Sequence, residues 1–288
     1  MSLIPRAGMQ MRSTLLRYAV LGTLGVLACL RAAWAEELSI PGSGNPEYVL
    51  TVLANAFNAQ QQRHRVTVPP SSGTAGAVRD VESGVAKLGR VGRPLKDDEL
   101  ARGLIYLPLG RDPVAFVAGA SVTVRSLTAE QLVDVYRGAI GNWRDLGGPA
   151  APIRVIGRES SDASLQAIQR AIKAFQGLSF SDSTKVVHLD PQVVQLLDRF
   201  PTSLGFLNQS ALRSCKTPVV LLQLNGVAPT AQNVEQGHYP LWLEFGFVYR
   251  SKELGGAGKA FVDVAQSPAG RSILQNLGVL VLPATMPR

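Results

Sequence analysis

The chain has 288 residues, of which 46% are hydrophobic and 17% are charged. This apolar content is enough for one large domain or two modest ones, and ordinary Gly and Pro usage excludes a low-complexity chain. The formal net charge is +8, but four arginines lie within the first 35 residues, which contain no acidic residue. The remainder carries 25 basic and 21 acidic residues. These basic residues are scattered without an interleaved aromatic stripe, so nucleic acid is not predicted as a partner.

The first 35 residues have the pattern of a secretory signal. Arg6, Arg12 and Arg17 precede the uncharged apolar run AVLGTLGVLACL, and an A-x-A cleavage site follows at residues 33–35. The apolar run has about 12 residues, fewer than the roughly 20 that a membrane-spanning helix needs. An uncleaved membrane anchor is therefore the less favoured alternative.

The position of the cysteines bears on the compartment and on lipid attachment. A lipobox around Cys29 would make the protein a lipoprotein, but Leu27 fits that motif poorly and Arg31 follows closely. We predict cleavage after Ala35 and a periplasmic mature protein. That mature chain keeps one cysteine, Cys215, so no intramolecular disulfide is predicted.

Strand and helix patterns alternate along the mature chain. ELSI predicts a strand, PEYVLTVLANAFNAQ a helix, HRVTV a strand, and the next segment a helix from about Thr74 to Gly84. IYLPLG and DPVAFVAG follow as strands, and a capping box of Thr128 with Gln131 begins the helix of TAEQLVDVYRG. PIRVIGR, KVVHL, SLGFLNQ and YPLWLEFGFVYR predict strands, ASLQAIQRAIKAF a helix, and SPAGRSILQNLG a last helix capped by Ser267. This alternation predicts an α/β fold with parallel sheets.

Three turns of small or hydroxylated residues each lie between a predicted strand and a predicted helix. The first N–H groups of a helix have no intrahelical partner and the helix dipole is positive there, so an anion is stabilised. Each turn alone is better explained as a helix cap, but three in one chain, one of them with an arginine, indicate a ligand site. The turns are Gly42-Ser43-Gly44-Asn45, Ser71-Ser72-Gly73-Thr74 and Arg158-Glu159-Ser160-Ser161-Asp162-Ala163-Ser164.

Several longer stretches, taken in order, point to one family. They are GSGNPEYVLTVLANAF, SSGTAGAVRDVESGVAKLGRVGRPLKDDEL, LPLGRDPVAFVAG, SLTAEQLVDVYRGAIGNWRDLGG, IRVIGRESSDASLQAI, SLGFL and YPLWLEFGFVYR. Over nearly all of the mature chain they resemble the solute-binding proteins of phosphate ABC transporters. The stretch ending in G-x-I-x-N-W-x-D-L-G-G is the most specific of them, because that helix ending is unusual.

The resemblance implies the two-lobed α/β fold of type II periplasmic binding proteins. Each lobe is a sheet flanked by helices, and the ligand lies in the cleft between lobes that close by hinge motion. We expect a signal peptide at 1–35, lobe one at 36–115 plus 239–288, and lobe two at 116–238. The implied function is that of a monomeric, non-enzymatic binding protein without a cofactor. It would deliver phosphate or a similar small oxyanion to an inner-membrane ABC permease or a sensor.

The resemblance also assigns ligand contacts to the three turns. In the family the first turn supplies backbone and hydroxyl donors, the second a serine, and the third an arginine followed by S-G-T donors. The serine matches Ser72 and the arginine matches Arg158. The implied ligand-binding positions are Ser43, Gly44, Asn45, Ser72, Gly73, Thr74, Gly92, Arg158, Ser161, Asp162, Ala163 and Ser164.

Two of these positions depart from the family pattern. Asp162 puts a carboxylate where the family has a hydroxyl donor at a helix N-terminus. Gly92, flanked by Arg90 and Arg93, stands where the family has the aspartate that accepts the proton of hydrogen phosphate. Either Asp162 replaces that acceptor from the opposite lobe, or it only caps its helix and repels a dianion. A like charge at about 4 Å costs several kcal/mol at intermediate dielectric.

These departures leave open a second function, a diverged sensory or scaffold module that binds another ligand or none. An enzyme is not predicted, because the chain has no G-x-S-x-G elbow and LGGAGKAF lacks the first glycine and the hydroxyl of a P-loop. His64, His188 and His238 are too widely spaced for a metal site. Cys215 is expected to be an unreactive thiol.

Overall fold

A computed structural model of the protein describes residues 36–283. The predicted signal peptide, its cleavage site and Cys29 lie outside the described residues, as do residues 284–288. The α-helices are α1 Glu47–Gln60, α2 Gly73–Glu82, α3 Asp97–Ala101, α4 Ala129–Tyr136, α5 Ala163–Ala171, α6 Asp190–Arg199, α7 Ala231–Glu235, α8 Gly255–Gln266 and α9 Pro268–Asn276. The strands are β1 Glu36–Ser39, β2 His64–Thr67, β3 Leu88–Val91, β4 Ile105–Ala118, β5 Ser126–Leu127, β6 Arg154–Arg158, β7 Lys185–Val187, β8 Ser203–Asn208, β9 Val220–Leu221, β10 Gln223–Leu224, β11 Trp242–Tyr249 and β12 Leu280–Val281. Between residues 36 and 283, no helix is long and apolar enough to cross a bilayer.

One large sheet runs through the molecule, with the strand order β3-β11-β4-β8-β6-β7. Strands β7, β6 and β8 are parallel to one another. Strands β4 and β11 instead pair antiparallel with each other, and β4 also pairs antiparallel with β8. The prediction of an α/β fold is confirmed, but the main sheet is mixed and not parallel throughout, because these two long strands return through its centre.

The hydrophobic side chains gather in two main groups, and β4 and β11 contribute to both. Leu109 of β4 and Phe245 of β11 belong to the group that includes α1, α8 and α9. Val114 of β4 and Leu243 of β11 belong to the group that includes α4 and α5. The two long strands therefore pass from one core to the other between residues 109 and 114 and between 243 and 245.

Local signals in the sequence fix several element boundaries. The side chain of Thr128 accepts a hydrogen bond from the backbone of Gln131, which confirms the predicted capping box at α4. Ser267 caps α9 in the predicted way, with Pro268 at the first helical position. Trp143, from the unusual N-W-x-D-L-G-G stretch, is fully buried and donates its indole N–H to the carbonyl of Thr202 at 2.8 Å. That motif therefore packs the core beside β8.

A fully buried carboxylate lies where β4 crosses between the two cores. Asp112 accepts hydrogen bonds from the backbone N–H of Ser210, at 3.2 Å, and from its hydroxyl. Burial raises the pKa of Asp112 to about 7, although the bonds from Ser210 oppose the shift. The crossing thus contains a group that gains a proton on folding near neutral pH.

Asp112 makes the free energy of unfolding depend on pH. The unfolded chain loses this proton near pH 4, by its ordinary pKa of about 3.9, and the folded chain only near pH 7. Stability contributed by the protonated form is therefore complete below pH 4 and is lost as the pH rises toward 7. We expect Asp112→Asn to reduce the slope of unfolding free energy against pH in that interval, measured by urea denaturation.

The exposed Asp145 provides the control, since Asp145→Asn removes a carboxylate without a burial effect. Its pH profile should follow that of the unchanged protein. An Asp112→Asn profile as steep as the control would contradict the role given to this carboxylate.

Candidate ligand-binding site

Polar residues meet where three neighbouring parallel strands end. Arg158 is the last residue of β6, Asn208 is the last residue of β8, and Asp190 follows β7 at the start of α6. Because β7, β6 and β8 are parallel, their carboxyl ends lie at one edge of the sheet. In open α/β sheets this edge is the usual place for a ligand.

The guanidinium of Arg158 is buried between two carboxylates. Its Nη2 lies 2.6 Å from Oδ2 of Asp162, and its Nη1 donates to Oδ1 of Asp190. Nη2 also donates to the backbone carbonyl of His188 at 3.1 Å. Only 5% of Arg158 is exposed, so the three charges interact with little screening by water.

Two carboxylates share one positive charge, and this affects their proton affinity. Burial raises the pKa of both Asp162 and Asp190, and the charge of Arg158 opposes that shift without cancelling it. The charge of Asp190 raises the pKa of Asp162 further. The group therefore has a surplus of negative charge when both carboxylates are ionised.

Asp162 has a structural role at the start of α5. It is the N-cap of that helix, and its Oδ1 accepts a hydrogen bond from the backbone N–H of Leu165 at 3.0 Å. Its other oxygen, Oδ2, pairs with Arg158. Both oxygens of this carboxylate thus have partners within the protein.

The first turn forms the facing wall, and Arg90 holds it in place. Arg90 is fully buried, and its Nε donates to the carbonyl of Ser43 at 2.8 Å, while Nη2 contacts Glu47 at 3.1 Å. Gly42 has a φ of +138°, and a Cβ there would lie 1.9 Å from the Arg90 carbonyl oxygen. Glycine is therefore required for this turn to approach β3.

Asn208 joins the first turn to the start of α5. Its Nδ2 donates to the backbone carbonyl of Asn45 at 3.0 Å, and its Oδ1 accepts from Ser164 Oγ at 3.2 Å. Asn45 Nδ2 lies 3.4 Å from both Ser164 Oγ and Asn208 Oδ1. All three residues are buried, so the first and third turns predicted from the sequence meet directly.

Gly92 lies beside the first turn. Its backbone N–H donates to Thr74 Oγ1 at 3.1 Å, which brings the second turn against the first. A Cβ at Gly92 would lie 2.5 Å from Ser43 Oγ and 3.3 Å from Asn45 Oδ1. Any side chain at position 92 would therefore require the Ser43 side chain to move.

The remaining predicted positions lie at the margin of this group. Ser72 and Ser161 are exposed, whereas Gly44, Gly73 and Ala163 are partly buried. Ala163 packs against the core beneath α5. The structure thus brings together Ser43, Asn45, Thr74, Gly92, Arg158, Asp162 and Ser164, and leaves these five around them.

The sequence patterns did not predict Asp190 or Asn208. The available signal was position, because Asn208 ends β8 and Asp190 follows β7, and both strands are parallel to β6. HLDPQ resembles an ordinary helix start, since proline is common at the first helical position, and Asn208 resembles an ordinary strand end. Neither could be placed without the strand order.

Neither a metal site nor a reactive cysteine is found among the described residues. Within residues 36–283 there is no group of three or more His, Cys, Asp or Glu side chains that could hold a metal ion. Cys215 is half-buried, and burial raises the pKa of its thiol to about 11. The thiol is therefore protonated at neutral pH, in agreement with the expectation that it is unreactive.

Comparisons with known proteins give one consistent result. Residues 31–269 match the family model of the PBP superfamily domain. The chain is 22% identical to the phosphate-binding protein PstS of Borreliella burgdorferi over 276 residues, which cover 94% of this chain and 99% of that protein. It is 25% identical to the phosphate-binding protein PstS of Bacillus subtilis over 235 residues, which cover 80% and 75% of the two chains.

Solved structures share the fold. A phosphate ABC transporter substrate-binding protein with bound phosphate from Clostridium perfringens superimposes with a TM-score of 0.72 at 25% identity, covering 86% of this chain and 100% of that one. An ABC-type phosphate transport receptor from Vibrio cholerae superimposes with a TM-score of 0.61 at 24% identity, with coverage of 86% and 100%. The fold is the two-lobed type II periplasmic-binding-protein fold, as predicted.

Loss of Arg158 should destabilise the protein more at neutral pH than in mild acid. Arg158→Met leaves Asp162 and Asp190 buried without their cation, and breaking a buried pair in this way costs about 3–5 kcal/mol. Protonation of the carboxylates relieves part of that cost, so the loss should shrink between about pH 7 and pH 5. Urea denaturation of both proteins at the two pH values measures it.

Arg154→Met is the matched control, since Arg154 lies at the exposed start of the same strand. It should cost little at either pH. Equal destabilisation by Arg158→Met at the two pH values would show that the carboxylates do not carry the effect.

Proposed function

Because the chain belongs to the family of the PBP superfamily domain, we propose that it captures a small oxyanion, phosphate first, for an ABC transporter. The observation that carries this proposal is the buried Arg158 at the carboxyl edge of the sheet, opposite hydroxyl and amide groups of the first turn. The relatives named for phosphate binding support phosphate as the ligand. The protein acts by binding and release, and it is not an enzyme.

The two lobes are proposed at residues 36–115 plus 239–288 and at 116–238. The separate hydrophobic groups support this division, since one is drawn from the first proposed lobe and the other mainly from the second. In this proposal β4 and β11 are the hinge crossings. A ligand enters when Asn45 separates from Ser164 and Asn208, and it is enclosed when they meet again.

The proposed contacts come from all three turns. Arg158 supplies the charge, and Ser43, Asn45 and Ser164 supply hydroxyl and amide donors at the lobe interface. Ser72 and Thr74 supply hydroxyls from the second turn. The positions Gly44, Gly73, Gly92, Ser161 and Ala163 shape these turns, and Gly44, Ser161 and Ala163 also offer backbone N–H groups.

The electrostatics of the site favour phosphate over sulfate. Arg158 already faces two carboxylates, so a fully ionised dianion would add charge to a buried group that has a negative surplus. Phosphate at neutral pH keeps at least one proton and can donate it in a hydrogen bond. Sulfate has no proton to donate.

Export and the transport partner are part of the same proposal. The signal pattern predicts a mature periplasmic protein that starts after Ala35, with a lipid anchor at Cys29 as the less favoured alternative. We propose that it acts as a monomer and releases its ligand to an inner-membrane permease. The Clostridium perfringens relative, a substrate-binding protein of an ABC transporter, supports that partner.

One observation favours a second function. The carboxylates of Asp162 and Asp190 contact both terminal nitrogens of the guanidinium, Nη2 and Nη1, which an anion would use, and Gly92 lacks the acceptor side chain of the family pattern. A diverged sensory or scaffold module, with another ligand or none, would keep the fold and lose phosphate binding.

Calorimetric titration of the ligand-stripped protein, with phosphate and then with sulfate, separates the two functions. We expect phosphate to bind and sulfate to bind weakly or not at all. In Asp162→Ser a hydroxyl can still cap α5 while one negative charge is removed, so both anions should bind more tightly than in the unchanged protein.

The control is Asp182→Ser, which removes an exposed carboxylate of the same proposed lobe and should leave both affinities unchanged. If the unchanged protein binds no phosphate and Asp162→Ser does, the second function is favoured. In that case the carboxylate of Asp162 itself closes the site.

A further inference from the structure

We infer that Asp190, and not Asp162, is the residue that accepts the proton of the bound oxyanion. Asp190 would then be the residue that makes the site select a protonated oxyanion, that is, hydrogen phosphate and its protonated analogues. This inference rests on the proposed function, and it gives that function a specificity residue that lies outside the three turns.

The first observation is a pair of buried atoms without partners. Among the described residues, Oδ2 of Asp190 and Nε of Arg158 are buried and have no hydrogen-bond partner. Asp190 is 8% exposed and Arg158 is 5% exposed. Buried polar atoms are nearly always paired in native proteins, so this acceptor and this donor are suited to a ligand.

A protonated oxyanion matches both atoms. Its charged oxygen accepts from the N–H of Arg158, and its hydroxyl donates to the carboxylate of Asp190. Asp190 and Arg158 already share a hydrogen bond through Oδ1 and Nη1, so the two unpartnered atoms belong to side chains in contact with each other. In the inferred complex one ligand oxygen accepts from Nε and the ligand hydroxyl donates to Oδ2.

Asp162, in contrast, has no carboxylate oxygen without a partner. Its Oδ1 accepts from the backbone N–H of Leu165 at 3.0 Å, and its Oδ2 lies 2.6 Å from Nη2 of Arg158. A ligand hydroxyl at this carboxylate would share an oxygen with the cap of α5 or with the ion pair. The carboxylate oxygen that has no partner is on Asp190.

The charges around Asp190 explain why the ligand must bring a proton. Arg158 of β6 is its cation, while Asp162 at the start of α5, Glu47 at the start of α1 and Asp112 of β4 are carboxylates whose pKa the charge of Asp190 raises. Glu47 is paired with Arg90, so the surplus is negative. A ligand oxygen that carries no hydrogen would be repelled by Oδ2 of Asp190, because both atoms are negatively charged.

The test compares tetrahedral anions that carry a proton with ones that do not. Phosphate, sulfate and monofluorophosphate are tetrahedral anions of similar size, but at neutral pH only phosphate carries an ionisable hydrogen. Calorimetric titration of the unchanged protein should show binding of phosphate and an affinity about 10- to 100-fold lower for the other two, the range of one hydrogen bond to a charged group.

Two matched variants assign the effect to one carboxylate. Asp190→Asn keeps the size of the side chain and an oxygen for Nη1, and it should reduce the preference for phosphate over monofluorophosphate to within about threefold. Asp162→Asn keeps a favourable helix cap, and it should preserve the preference. Circular dichroism checks that each variant is folded.

The outcomes are distinct. Binding of phosphate and monofluorophosphate with equal affinity by the unchanged protein would overturn the inference, and it would leave the proposed function intact. A preference that is lost in Asp162→Asn would overturn it too, and this result holds even where Asp190→Asn does not fold. An unchanged protein that binds no phosphate would instead contradict the proposed function on which the inference rests.

Discussion

Arg158 is buried between Asp162 and Asp190, and the arrangement of the site depends on this contact. A guanidinium that is removed from water is stable there only if charged and hydrogen-bonding partners compensate for its lost hydration. Those partners come from the starts of two different helices, α5 and α6, while Arg158 itself ends β6. The three charges thus fix the relative positions of a strand and two helix N-termini.

The facing wall is organised by a second buried arginine. Arg90 binds the carbonyl of Ser43 and the carboxylate of Glu47 and so shapes the first turn. Asn208 then connects Asn45 of this turn to Ser164 of α5. Both walls are therefore built on a buried cation, and they meet through neutral amide and hydroxyl groups that can separate at small energetic cost compared with an ion pair.

Much of the fold follows from local patterns in the sequence. The alternation of strands and helices, the caps at Thr128 and Ser267, and the glycine turn before α1 all have direct physical causes within a few residues. The direction of β4 and β11 has no such local cause, because a long apolar strand has the same composition in a parallel and an antiparallel pair. The mixed character of the sheet could therefore not be predicted from the pattern of elements.

Part of the site could likewise be predicted from local sequence patterns. Two arguments, anion binding at helix N-termini and the family resemblance, both point to the turns that contain Ser43, Asn45, Arg158 and Ser164. Asp190, in contrast, lies after a strand in a segment with no turn of small residues. Its importance depends on β7 lying next to β6 in the sheet, which is a property of the whole fold and has no local signal.

In this account the Arg158 and Asp190 pair receives the ligand where the two walls meet. A crystal structure of the protein grown with phosphate at neutral pH tests it most directly. We expect tetrahedral density beside the first turn, with one oxygen in hydrogen-bond contact with Nε of Arg158 and another in contact with Oδ2 of Asp190. Phosphate bound elsewhere, with the three charged side chains arranged as they are here, would contradict the claim.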